Sequence, residues 1–143
     1  FLHVFGVGST LTLHLLFYLG VDSVDVQSWI RSAAHGKIHI PSAGQRFVVK
    51  DESRFKHVQW SRVIDRAQYN CDCPVCQNHS IEELALSQEL RALHNICVFH
   101  KEIHLVRRLI KEGCYEDYVA RVFSKTSMRS IFDYAKRKLN QSF

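Results

Sequence analysis

The sequence predicts an α/β chain whose C-terminal part is helical. Residues 2–34 alternate between strand-like and helix-like segments with short connections, as parallel α/β units do. Three cysteines lie within residues 71–76, and residues 80–139 have the hydrophobic spacing of helices. With 143 residues, 46% of them hydrophobic and 23% charged, the chain can form a core. A wholly disordered chain is therefore excluded.

The first four elements form two strand–helix pairs. In order, they are a strand over residues 2–5, a helix over 10–19, a strand over 21–26 and a helix over 27–34. Ser9 is a suitable N-cap for the first helix, and Gly20 and Gly36 follow the two helices, where glycine is favoured. Two strands cannot make a parallel sheet by themselves, and the chain has no initiator Met. We therefore expect further strands upstream.

The elements after residue 36 change from strand to helix. Residues 37–40 and 46–49 predict a hairpin around Pro41 to Gly44, and residues 51–69 predict mainly charged loop. Ser80 and Glu83 have the spacing of a capping box. An apolar stripe predicts a helix through residues 90–112, with two shorter helices near 115–123 and 127–139. The stripe consists of Leu90, Leu93, Cys97, Ile103, Val106 and Ile110.

Charge and cysteine usage limit the class of protein. The net charge is +5, and residues 121–143 carry six basic side chains against one acid. This segment suits a polyanion such as nucleic acid, although a solvated helix surface explains it equally well. No apolar run reaches the roughly 18 residues of a membrane span, and no signal peptide is recognisable. Five cysteines, an odd number, predict a reducing, cytoplasmic compartment.

The cysteine cluster predicts a metal site. Cys71, Cys73 and Cys76 place three thiols within six residues, and thiolates so close repel one another unless a cation holds them. Free thiols or a redox pair are the alternatives. The candidates for a fourth ligand are His79, His94, His100 and His104. Three thiolates and one histidine would leave no open position, so the ion would be a structural Zn²⁺.

Two aspartates lie in the second predicted strand. Asp25 lies at its C-terminal end, where α/β barrels place their chemistry, and Asp22 lies three residues earlier. Asp25 is either a nucleophile or the N-cap of the following helix. His35 and His39 lie close by and could touch phosphate, although surface or hairpin histidines with no role are the simpler interpretation.

These motifs together resemble the C-terminal half of the tRNA-guanine transglycosylases. The resemblance spans residues 2–123 and depends on Phe5-Gly6-Val7-Gly8, Gly20-Val-Asp-x-x-Asp25, Cys71-x-Cys73-x-x-Cys76 and Leu93-His94-Asn95. It implies a (β/α)₈ TIM barrel followed by a zinc subdomain. Residues 1–50 would form the last two β/α units. Residues 51–143 would form a mainly helical zinc-binding subdomain with a basic C-terminal segment.

The resemblance also implies the site residues. Asp25 matches the nucleophilic aspartate, and Phe5 and Gly6 match a base-packing side chain and the substrate loop. Arg31 lies where the family has an arginine that reads substrate, although the Pro-Thr that precedes it in bacterial tRNA enzymes is absent. The four zinc ligands would be Cys71, Cys73, Cys76 and His94.

The implied activity is exchange of guanine for a 7-deazaguanine through a covalent aspartyl-glycosyl intermediate. The run from Asp25 through Trp29 and Arg31 to Gly36-Lys37 is more similar to the branch that inserts 7-cyano-7-deazaguanine into DNA, with tRNA as the alternative substrate. A homodimer through the zinc subdomain is expected. The rival classes are a non-catalytic zinc module that binds nucleic acid and a partner subunit without the catalytic residue.

Overall fold

A computed structural model describes residues 1–48, 63–65 and 69–141. The four strands of these residues are β1 (His3–Val4), β2 (Ser23–Val24), β3 (Lys37–Ile40) and β4 (Gly44–Phe47). The seven helices of the described residues are α1 (Thr10–Tyr18), α2 (Ser28–Ala34), α3 (Pro74–Asn78), α4 (Ile81–Leu86), α5 (Gln88–Lys111), α6 (Tyr115–Ser124) and α7 (Arg129–Gln141). Strands and helices alternate up to β3, so the structure is an α/β fragment with a helical C-terminal part.

The N-terminal part contains the two predicted strand–helix units. β1 and β2 pair in parallel, with His3 opposite Ser23 and Val4 opposite Val24. The Ser9 side chain caps α1 by accepting a hydrogen bond from the Thr12 amide at 3.1 Å, as predicted. Both strands are shorter than the sequence indicates. Because they are parallel, the residues that follow them meet at the same edge of the sheet.

β3 and β4 form the predicted antiparallel hairpin with a shorter turn. Gly44 pairs with Ile40 instead of lying in the turn, and it adopts φ +82°, which glycine tolerates. Thr10 holds the hairpin against α1. Its hydroxyl donates to the Ile40 carbonyl and accepts from the Gly44 amide, both at 3.1 Å. The end of the predicted second strand and most of the predicted loop over residues 51–69 lie outside the described residues.

The capping box at α4 is confirmed. The Ser80 hydroxyl accepts from the Glu83 amide at 3.2 Å, and the Glu83 carboxylate accepts from the Ser80 amide at 2.8 Å. Ser87 separates α4 from α5, because its side chain caps α5 by accepting from the Leu90 amide at 3.1 Å. These two serines start consecutive helices that lie beside the cysteine cluster.

Replacement of Ser80 by Ala is expected to lower the free energy of unfolding by about 1 kcal/mol, because the Glu83 amide in the first turn of α4 loses its partner. Urea denaturation measures this change. The matched control is Ser130→Ala, an exposed serine inside α7, for which we expect no loss. Equal stability of the two variants would contradict the capping role.

The buried face of α5 differs from the predicted stripe. Leu93 and Ile110 are about half exposed, whereas Val106 is buried as predicted. The side chains that point inward are mostly polar near the start of the helix. The buried residues of α5 are Arg91, His94, Asn95, Val98, Phe99, Glu102 and Val106. The apolar pattern alone therefore predicts a buried face that is rotated by part of a turn from the observed one.

One hydrophobic cluster joins the N-terminal and helical parts. Leu13 of α1 packs in it with Phe99 of α5, Val119 and Phe123 of α6, and Phe132 of α7. A second, smaller cluster contains Ile38, Val48 and Leu84 beside the cysteine-rich segment. Within the described residues, no helix is both long and apolar enough to cross a membrane.

Candidate functional site

The cysteine cluster and a histidine of α5 meet in the structure. The ligand atoms of Cys71, Cys73, Cys76 and His94 all lie within 4.8 Å of one another. Cys73 is the N-cap of α3, and its sulfur accepts a hydrogen bond from the Cys76 amide at 3.4 Å. Pro74 in the first turn favours the start of this short helix. The four side chains could therefore hold one metal ion.

The imidazole of His94 is oriented by the backbone of β3. Nε2 of His94 donates to the carbonyl oxygen of His39 at 2.9 Å, so in the neutral imidazole, the form that binds a metal, Nδ1 carries no proton. Nδ1 then faces the sulfurs of Cys73 and Cys76, each at 3.4 Å. A carbonyl behind a histidine is the usual arrangement around a metal-binding imidazole, because it fixes the tautomer.

The electrostatics of the cluster favour the thiolate form of Cys71 and Cys73, because the pKa of each thiol is lowered. A hydrogen bond with Cys76 lowers the pKa of Cys71 and raises that of Cys76, since one proton lies between the two sulfurs. Burial lowers the pKa of His94, but its hydrogen bonds with Cys71 and Cys73 outweigh burial and raise this pKa to about 9. Thiolates gathered around one position attract a cation.

Two further side chains of α5 hold the cluster against the N-terminal part, and sequence reasoning gave them no role. Nε of Arg91 donates to the Ala33 carbonyl at the end of α2, and one terminal nitrogen donates to two carbonyls at the end of α4. Asn95 accepts from the His39 amide at 2.7 Å and donates to the Trp29 carbonyl at 2.9 Å. The residue after His94 in the Leu-His-Asn motif is thus a clamp between α2 and β3.

Replacement of Asn95 by Ala is expected to lower the free energy of unfolding by about 2–4 kcal/mol, because a buried amide and a buried carbonyl lose their partners. Chemical denaturation followed by circular dichroism measures the loss. Asn78→Ala, an exposed asparagine at the end of α3, is the matched control and should cost under about 1 kcal/mol. Similar losses for both variants would contradict the clamp.

Asp25 lies at the carboxyl edge of the β1–β2 pair. Its Oδ1 accepts a hydrogen bond from the Gly6 amide at 2.5 Å, and its backbone bonds to Val4 and Val7 at 3.1 and 3.0 Å. Gly6 has φ +72°, a conformation that suits glycine in this tight turn. The N-cap of α2 is Gln27, which makes no capping bond through its side chain. Asp25 therefore does not cap α2, and the capping alternative is wrong.

A cleft of about 320 Å³ opens beside this edge. Its lining is polar and basic, and it includes the Gly6–Gly8 turn, Arg31 and Lys37. Phe5 is 78% exposed at the same edge. Lys37 and Gln45 also line the cleft, and they were missed because they belong to the hairpin, not to a strand–helix junction.

Several histidines that the sequence analysis considered lie outside the cluster. His35 is exposed and lines the cleft, and its Nδ1 donates to the Arg31 carbonyl at 2.7 Å. His39 lies in β3 of the hairpin and is fully buried against Phe99, so of the two interpretations, surface or hairpin, the hairpin one applies. His100 and His104 are exposed on α5, with their Nε2 atoms 3.2 Å apart, and neither belongs to the cysteine cluster.

The predicted site residues thus form two groups. Phe5, Gly6 and Asp25 lie at the carboxyl edge, and Gly6 and Arg31 line the cleft beside it, whereas the three cysteines and His94 form the metal cluster. α2 and β3 connect the two groups, because Asn95 binds the backbone of both.

Comparison with known proteins gives one family. Residues 2–128 match the family described as queuine tRNA-ribosyltransferase. Among curated proteins, the tRNA-guanine(15) transglycosylase of Pyrococcus furiosus is 31% identical over 117 residues, which is 78% of this chain and 17% of the relative. The enzyme of the same name from Sulfolobus acidocaldarius is 28% identical over 145 residues, which is 98% of this chain and 26% of the relative.

A third relative, the tRNA-guanine(15) transglycosylase of Archaeoglobus fulgidus, is 30% identical over 118 residues, or 78% of this chain and 21% of the relative. The chain thus spans about a sixth to a quarter of the length of these relatives.

Proposed function

Because the chain belongs to the queuine tRNA-ribosyltransferase family, we propose that the protein exchanges guanine in a nucleic acid for a 7-deazaguanine, through a covalent bond to Asp25. Membership confirms the resemblance inferred from the sequence. The observation that carries the proposal is the Asp25 carboxylate at the edge of two parallel strands, held by the Gly6 amide and not used as a helix cap.

In the first step, a carboxylate oxygen of Asp25 attacks C1′ of the target nucleotide. The bond from C1′ to N9 of guanine breaks, and guanine leaves with the electron pair and takes up a proton. The Gly6 amide engages Oδ1, and Oδ2 accepts no hydrogen bond from any described residue, so Oδ2 is the attacking atom. The product is a glycosyl ester, and the transition state has oxocarbenium character, as in retaining glycosidases.

In the second step, a 7-deazaguanine binds where guanine was. It loses the proton of N9, N9 attacks C1′, and Asp25 leaves as a carboxylate. Two inversions at C1′ give net retention, and the proton that guanine takes up balances the one that the incoming base releases. No bond of the phosphate backbone breaks, so the nucleic acid stays intact.

Three residues at the same edge serve the substrate. The exposed ring of Phe5 can stack on a base that has left its helix. Gly6 lets the backbone approach the reacting sugar, because it carries no side chain. Arg31 lines the cleft and is exposed, so its guanidinium can pair with a phosphate group.

The cysteine cluster fits a structural Zn²⁺. In tetrahedral zinc, a sulfur and a nitrogen ligand lie about 3.6 Å apart, and Nδ1 of His94 lies 3.4 Å from the sulfurs of Cys73 and Cys76. Three thiolates and one imidazole leave no position for substrate. The ion would hold the segment at residues 71–76 against α5, and the chemistry would stay with Asp25.

The sequence of α2 and the names of the relatives point to different nucleic acids. The run from Asp25 through Trp29 to Arg31 favours DNA as the substrate and 7-cyano-7-deazaguanine as the incoming base. The curated relatives, by contrast, are named tRNA-guanine(15) transglycosylases, which favours tRNA. We retain DNA as the first candidate and tRNA as the second.

A base-exchange assay tests the proposal. Full-length protein is incubated with duplex DNA or with unfractionated tRNA that contains radiolabelled guanine, together with 7-cyano-7-deazaguanine. Release of label from DNA supports the first candidate, and release from tRNA supports the second. If the protein binds both nucleic acids but releases label from neither, the result would instead favour the non-catalytic zinc module.

The homodimer expected through the zinc-binding part is a further proposal. Exposed apolar side chains lie on α4 and α5 next to the cluster, at Leu86, Leu93 and Ile96. Sedimentation of full-length protein over a range of concentrations measures the oligomeric state. A concentration-dependent dimer that Leu93→Lys dissociates would support this interface, and a monomer at all concentrations would contradict it.

A further inference from the structure

A second basic groove lies between the β3–β4 hairpin and α6, apart from the cleft beside Asp25. It has a volume of about 610 Å³. The hairpin contributes its turn and Arg46, and the helical part contributes α6 and the segment that follows it. The lining residues are Leu11, Ser42, Ala43, Arg46, Tyr118, Arg121, Val122, Lys125, Thr126 and Ser127.

The side chains that line this groove carry a net positive charge. Arg46, Arg121 and Lys125 line it, and no acidic residue does. Within the described parts of the chain, no carboxylate forms an ion pair with any of the three. Other cations of the helical part do have such partners, for example Lys101 with Asp72 and Lys136 with Glu116. Three positive charges around one groove, without an ion-pair partner among the described residues, favour an anion.

Hydroxyl groups accompany the cations. Ser42, Tyr118, Thr126 and Ser127 line the same groove. Ser42 is held firmly, because it hydrogen-bonds both to Tyr118 and to the buried carboxylate of Glu102, which itself pairs with His14. Ser42 donates its proton to Glu102, Tyr118 donates to Ser42, and Thr126 donates to the Phe123 carbonyl. Among the lining residues, the donors left for a phosphate group are therefore the three cations and Ser127, and such contacts to phosphate are usual in protein–nucleic acid interfaces.

The groove and the Asp25 cleft lie on opposite sides of one strand. Gln45 lines the cleft, and its neighbour Arg46 lines the groove, because successive side chains of β4 point to opposite faces. Leu11, in the first turn of α1, also borders the groove. α1 starts directly after the Gly6–Gly8 turn, so the groove is reached from the same edge as the nucleophile.

We infer that this groove binds phosphate groups of the nucleic acid outside the exchanged nucleotide, and this rests on the proposed function. A strand whose target sugar lies at Asp25 crosses the tip of the hairpin and places neighbouring phosphates against Arg46, Arg121 and Lys125. The contacts are to the backbone, so they hold the substrate in position without reading its sequence.

The test compares two double variants of the full-length protein that remove equal charge. Arg121→Ala/Lys125→Ala changes the groove, and Lys111→Ala/Arg137→Ala removes two exposed cations outside it. Dissociation constants for random-sequence duplex DNA and for unfractionated tRNA are measured at several salt concentrations. All four positions are exposed, and thermal unfolding checks that both variants remain folded.

The groove variant is expected to bind about tenfold more weakly, and its salt dependence on duplex DNA should fall by about 2 in slope. The control variant should stay close to wild type. The nucleic acid whose binding the groove variant weakens is the one that occupies the groove. Equal weakening by both variants would overturn the inference, because it would mean a general effect of charge.

Covalent adduct formation separates this inference from the proposed function. If the wild-type protein forms the Asp25 adduct but the groove variant binds nucleic acid as tightly as the control variant, the inference about the groove is overturned. The proposed function is then still supported. Groove-dependent binding without any adduct would support the groove and overturn the proposed function.

Discussion

Removal of zinc from the full-length protein is expected to destabilise the part of the chain around α3, α4 and the start of α5 more than any substitution described above. Binding of a structural zinc ion contributes on the order of 10 kcal/mol to folding, which exceeds the net stability of many domains. Without it, two or three thiolates would repel one another beside His94. Thermal unfolding with and without a chelator measures the effect.

The ligand variants sharpen this prediction. Cys73→Ser and His94→Ala should retain less than about a tenth of the zinc per chain and should unfold at lower temperature. The matched controls are Cys97→Ser and His104→Ala, because these residues are of the same types and lie outside the cluster. Full zinc content in Cys73→Ser, or a chelator with no effect on unfolding, would contradict the metal site.

Replacement of Asp25 by Asn is expected to reduce base exchange by at least about 10³-fold, because the amide cannot form the glycosyl ester. The side chain keeps its size, and its oxygen can still accept from the Gly6 amide, so the fold should persist. Release of labelled guanine from the preferred nucleic acid measures the rate. Dissociation constants for that nucleic acid should change less than about threefold.

Asp22→Asn is the matched control for this substitution. Asp22 lies on the same short strand segment, is exposed, and accepts a hydrogen bond from the Leu2 amide at 2.6 Å. The exchange rate of Asp22→Asn should stay within about threefold of wild type, since Asp22 precedes β2 and Asp25 follows it, at the opposite end of the strand. Equal losses in the two variants would mean that Asp25 acts through local structure and not as the nucleophile.

Local signals predicted the elements of the fold well where a cap or a glycine marks their ends. Ser9, Ser80 and Gly20 were assigned correctly because capping depends on nearby backbone groups. The lengths of β1 and β2 were overestimated, since strand ends depend on the partner strand. The turn of the hairpin was misplaced by one residue for the same reason, because pairing draws Gly44 into β4.

The buried polar face of α5 could not be predicted from periodicity. Arg91 and Asn95 are buried because they bind backbone carbonyls and amides of α2, α4 and β3, and the sequence alone does not indicate which backbone groups need a partner. The cysteine part of the metal cluster was predictable because close spacing of three cysteines is a local signal. His94 was selected from four candidate histidines only through the family resemblance.

The most direct test of the central claim is the intact mass of full-length protein, measured under denaturing conditions after incubation with duplex DNA or with tRNA. We predict a covalent nucleotide adduct on wild-type protein with one of the two nucleic acids, located at Asp25 by peptide mapping, and no adduct on Asp25→Asn. An adduct that persists in Asp25→Asn would contradict the account. So would wild-type protein that contains zinc and exchanges guanine but forms no adduct with either nucleic acid.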